Sequence, residues 1–249
     1  MSLPRFLTAV VSKSCRPLLF GLCASVSLAG AALAQQAPVP NPFEAELLQA
    51  APELFGFLKT NFPSEFQDLV VNAQMTHASG GDLSGLVQGH LLQLRKSYAA
   101  KVAVASDATL AALGDATISL TNSVLEGEGE LACANYSVNG PAVFDGTAAA
   151  AKYEDLLLAQ IVHVLVAARD GITAPTARQD ASDADWQTLI DHMIALGMSN
   201  EALAGLAQQD PTNPALCGTM ISLFQAMASE PTGAGARVRA QFFSQVAAL

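Results

Sequence analysis

Apolar residues recur at helical spacing through most of this chain, and runs of alternating residues long enough for a strand are missing. Asn41-Pro42 reads as an N-cap with proline at the first helical position, and Phe43, Leu47, Leu48 and Leu54 follow, with Pro52 breaking or restarting the helix. Pro63-Ser64 opens a second segment with Phe66, Leu69, Val70 and Ala73 on one face, ended by Ser79-Gly80-Gly81. Asp82 caps a long third helix carrying Leu86, Leu91, Leu94, Tyr98 and Val102, and Ser106-Asp107 starts a fourth with Leu110, Leu113, Ile118 and Leu120. Thr117, Thr121 and Ser123 argue against that helix, because hydroxyl and β-branched residues lower helix propensity.

The pattern lapses between residues 126 and 147, where Gly127, Gly129, Gly140, Gly146 and Pro141 predict one long surface loop anchored by Cys133. Ala148 to Asp170 resumes as a helix that is apolar on nearly every face from Leu156 to Ala168 apart from His163, which places it at the centre of the domain. Lys152, Glu154 and Asp155 argue against its crossing a membrane. After a linker, Ser182 caps a helix with Asp185 at the capping-box position, followed by Trp186, Leu189, Ile190, Met193 and Leu196. Helices over residues 200–208 and 216–228 come next, and the last carries Val238, Phe242, Val246 and Leu249 as its apolar stripe. The expected fold is all-α: an irregular array or bundle of about seven to nine helices with one long loop around residues 126–147. The stretch from Trp186 to Pro214, a helix pair ending in Asp210-Pro211-Thr212-Asn213-Pro214, resembles a tetratricopeptide unit. No second copy follows at the required period of about 34 residues, and one unit cannot build a solenoid, so no family is assigned.

The first 34 residues have another character. Arg5, Lys13 and Arg16 are their only charges, Pro17 to Gly30 is apolar or small, and Ala32-Leu33-Ala34 closes the stretch. This is the layout of a secretory signal, with cleavage between Ala34 and Gln35. Residues 35–41 then form an extended leader and residues 42–249 a single helical domain. The expected location is periplasmic or secreted, with no integral membrane segment after cleavage. Leu22 before Cys23 does not fit a lipobox, and there is no Arg-Arg pair. Cleavage would remove three of the 12 basic residues and none of the 22 acidic ones, leaving 9 against 22, or −13. Such a surface repels phosphate backbones and anionic headgroups, which argues against nucleic acid as a partner. Cys133 and Cys217 survive cleavage, and in an oxidising compartment an even pair forms a disulfide.

Candidate chemistry is sparse. His77, His90, His163 and His192 lack the i, i+4 or Glu-x-x-His spacing of a metal helix. His163 reads as a core histidine bonded to a polar neighbour, and the other three as surface residues. Glu126, Glu128 and Glu130 read as a solvated acidic turn rather than a calcium loop. Asp180, Asp183 and Asp185 do not fit an EF-hand and sit at a helix start, where the dipole favours them. No G-x-S-x-G elbow, S-x-x-K motif or glycine-rich phosphate loop is present, and Asn135-Tyr136-Ser137 is a glycosylation sequon. No catalytic, cofactor-binding or metal-binding residue is therefore assigned. The leading expectation is an exported, soluble accessory factor acting through contacts with an unknown protein partner. The alternatives are a carrier holding an apolar ligand between helices, and a hydrolase- or lyase-like enzyme whose histidines and carboxylates converge only in the fold.

Overall fold

The computed structural model describes residues 41–144 and 146–248. The segment expected as a signal sequence, its expected Ala34–Gln35 cleavage site, most of the expected 35–41 leader, Asp145 and Leu249 lie outside the described residues. Those residues form an all-α array of twelve α-helices and one 3-10 turn, with no strand among them. In chain order the helices are α1 (Pro42–Ala50), α2 (Pro52–Asn61), α3 (Pro63–Ala78), α4 (Leu83–Val102), α5 (Asp107–Glu128) and α6 (Glu130–Asn139). After the 3-10 turn Gly140–Phe144 come α7 (Ala148–Lys152), α8 (Glu154–Thr173), α9 (Asp183–Ala195), α10 (Asn200–Gln208), α11 (Ala215–Ser229) and α12 (Ala234–Ala248).

The helix starts are set by local chemistry. Asn41, Asp82, Ser106, Ser182 and Ser199 each accept a backbone N–H of the first turn that follows. At Ser182 the capping box is complete, since the Asp185 carboxylate also accepts the Ser182 N–H at 2.9 Å. Pro52 and Pro63 each restart the chain at the first helical position. The count exceeds seven to nine because Tyr153 divides the segment expected as one helix from Ala148 to Asp170, and because α6 fills part of the expected loop.

The expected loop over residues 126–147 is not there. α5 continues to Glu128, α6 follows at once, and the 3-10 turn leads to α7. Gly129 and Gly140 take φ values of 85° and 67°, which glycine adopts without the Cβ penalty. They act as joints between helices rather than as marks of a loop. Between them Cys133, Ala134 and Tyr136 turn one face inward. Thr117 and Thr121 do not interrupt α5 either, because their hydroxyls donate to the carbonyls of Leu113 and Thr117 at 2.9 and 2.8 Å. Gln160 of α8 then donates to Thr117 Oγ1 at 3.1 Å, so these buried hydroxyls are satisfied.

α8 packs against α2, α4 and α5. Its apolar stretch has a mean hydropathy of 1.5, long and apolar enough to cross a membrane by composition, and about a third of it is fully buried here. Leu157, Val164, Leu165, Ala167 and Ala168 form the buried face. The larger core joins the inner faces of α1–α4, the first half of α5, the second half of α8, and α9, α11 and α12. A smaller core gathers Leu120 and Val124 of α5, Tyr136 of α6, Phe144, Tyr153 and Leu157. Cys133 and Cys217 join α6 to α11 inside it as a disulfide, with Cα atoms 5.4 Å apart.

α12 is turned by about one residue from its expected stripe. Ala236, Val238, Arg239, Ala240, Phe243 and Ala247 are buried, while Phe242 is half-buried and packs edge-on against Phe224 and Phe243. The reason is Arg239, 3% exposed, which donates to the carbonyls of Met227 at 2.7 Å and Glu230 at 3.3 Å. Those carbonyls end α11, whose own last turn holds no basic residue. The same arrangement recurs twice. Arg178 donates to the carbonyls of Ala103 and Ala105 just past α4, and Arg95 to that of Val246 in the last turn of α12. Three of the chain's few cations thus close the negative ends of other helices. The helix pair at residues 183–208 is not a tetratricopeptide hairpin: α9 packs on α11 and α12, and α10 on α11.

Candidate functional site

The junction of α4 and α5 forms the floor of a cleft. Ala103 and Val104 line it at the base, and the segment 174–182 crosses above as a strap. The strap is tied down by Thr176 N–H donating to Val104 O at 2.7 Å and by Arg178, whose side chain is 10% exposed and pairs with Asp107. The opposite wall is α12, where Arg237, Ala240, Gln241, Ser244 and Gln245 fall at helical spacing. The volume is about 380 Å³. Arg237 gives Nε and Nη2 to the two carboxylate oxygens of Asp185, a fork that fixes its plane. With Arg237 bonded to it and Ser182 capping, the Asp185 carboxyl is held well below the usual carboxylate range. The capping residue legible in the sequence is thus also the anchor of an arginine 52 positions on, a link that no local pattern reveals.

The histidines do not converge. His77 packs against Phe43 with ring centroids 5.1 Å apart, and His163 is half-buried on α8. His192 meets Ser229 Oγ at 3.5 Å through Nε2 and Glu230 at 4.0 Å through Nδ1. This has the order of a hydrolytic triad but not its chemistry. Ser229 Oγ donates instead to Ala226 O at 2.9 Å, and it sits at the C-terminal end of α11, where the helix dipole opposes a developing negative charge. No group of three or more His, Cys, Asp or Glu side chains able to hold a metal occurs among the described residues.

His90 departs from the expected surface position. Its Nε2 is buried without a hydrogen-bond partner. Burial lowers its pKa from the ordinary 6.5, partly offset by the Glu65 carbonyl and by the carboxylates of Asp68 and Glu65. The unfolded chain therefore binds this proton more readily than the folded one, so stability falls as pH drops through 6.5. In urea titrations above and below that pH, His90→Leu is expected to flatten the loss. An unchanged pH slope would show that His90 does not contribute to it.

Glu128 ends α5 and pairs with Lys152 at 3.0 Å and with the Tyr153 hydroxyl at 3.1 Å, so the Glu126–Glu130 stretch straddles a helix junction. Asp183 and Asp185 occupy the first turn of α9. Leu157, Val164 and Leu165 of the apolar helix α8 are packed into the core, and the cleft described above lies elsewhere, with walls of mixed polar and apolar residues. Asn135 of the sequon is exposed on α6 and accepts from Asn139 at 2.7 Å. No protein-family model, curated protein or solved structure matches this chain.

Proposed function

We propose that the protein is an exported accessory factor that works by holding another protein, not by catalysis. The observation behind this reading is the outer face of α3. Val71 and Met75 stand one turn apart there, 42% and 58% exposed, with the exposed Asp68 a turn before Val71. An exposed apolar pair on a helix is a recurrent seat for an amphipathic segment, and methionine adapts its shape to the guest. The chain carries 22 acidic residues against 12 basic ones, so the fitting guest has apolar anchors flanked by lysine or arginine.

The test is position-specific. A photo-crosslinking residue at Met75, in protein expressed with its leader, is expected to capture one discrete partner. The same residue at Thr188, exposed on α9, captures none, and Val71→Asp abolishes the Met75 product. Equal products from both positions, or none from Met75, would reject the reading.

A further inference from the structure

The geometry points to a second binding function: the cleft between the α4–α5 junction, the strap and α12 takes a small zwitterion of amino-acid size. Its volume of about 380 Å³ lies within the size of small-molecule clefts. Its walls are tied by the Thr176–Val104 bond on the strap and by the Asp185 fork on Arg237. Preformed sites of this kind lose little freedom on binding.

The polar groups define the guest. Arg237 has two of its donors committed to Asp185, which leaves Nη1 for an incoming carboxylate. Gln241 lines the same wall one turn beyond Arg237. Asp180 brings a carboxylate to the same cleft, suited to an ammonium group. A bare anion is a poor match, because Asp107 and Asp185 already neutralise the two arginines and Asp180 adds negative charge. A bare cation leaves the Arg237 donor unused. A molecule bearing both charges satisfies both ends, and the methyl groups of Ala103 and Ala240 leave space for its carbon frame.

Titration calorimetry on the exported protein, with each common L-amino acid as probe and with acetate and methylammonium as single-charge controls, tests this. At least one amino acid is expected to bind saturably, with both controls about tenfold weaker or more. Asp180→Asn removes the carboxylate, and Gln245→Trp blocks the exposed rim without entering the core. Either change, in protein whose circular dichroism is unaltered, is expected to weaken binding about tenfold. No binding by any amino acid, acetate as tight as the best of them, or affinity unaffected by both substitutions would overturn the inference.

Discussion

Reducing the Cys133–Cys217 bond, or replacing both cysteines by serine, lowers the unfolding free energy by about 4–5 kcal/mol. The bond joins positions 84 apart, and closing a loop of that length restricts the unfolded chain by about that amount in the chain-entropy model. Both sulfurs are fully buried among Leu120, Val124, Tyr136 and Ile221, so serine hydroxyls at the same places add a desolvation cost. Total stability of a domain is about 5–15 kcal/mol, so the loss takes a large share of it. The melting temperature is expected to fall by roughly 8–20 °C, given about 2–4 °C per kcal/mol at this size. Scanning calorimetry on oxidised and on reduced, alkylated protein measures it. Identical transitions would mean that the smaller core closes without its crosslink.

Gly171→Ala is expected to cost about 3 kcal/mol or more, although alanine is the better helix former. A Cβ at this position of α8 would stand 1.9 Å from the carbonyl oxygen of Lys101 and 2.8 Å from its carbon. Those atoms are backbone at the end of α4 and have no rotamer to move aside. The last turn of α8 must therefore lift from α4, and the contacts beside it lift too. Asp170 accepts the Ser106 N–H at 2.7 Å and the Thr109 hydroxyl at 2.8 Å, closing the N-terminus of α5. The matching control is Gly218→Ala on α11, where a Cβ would meet nothing within 4 Å. That change is expected to stabilise by about 0.5–1 kcal/mol. Denaturant midpoints for the pair decide the point, and equal effects would remove close approach as the reason for Gly171.

Much of the architecture was legible because helix boundaries are written locally. Asn41-Pro42, Asp82, Ser106 and Ser182 carry their own capping chemistry, and the apolar face of α3 is the one that its periodicity names. Glycine was the misleading signal. Gly129 and Gly140 end one helix and begin the next structured stretch, and their number between 126 and 147 looks the same in a loop. Arginine was the other. Arg178, Arg237 and Arg239 count as solvent charge in a sequence, yet their partners at Ala103, Asp185 and Met227 come near only once distant helices pack. The cleft, which depends on two of them, was therefore invisible, as was the buried edge of His90.

Export into an oxidising compartment is the premise under both the crosslink and the proposed partner, and intact mass spectrometry of protein recovered outside the cytoplasm addresses it. The expected chain starts at Gln35 and takes up alkylating reagent at Cys133 and Cys217 only after reduction. A chain beginning at Met1, retained in the cytosol with both thiols open to alkylation, would contradict it.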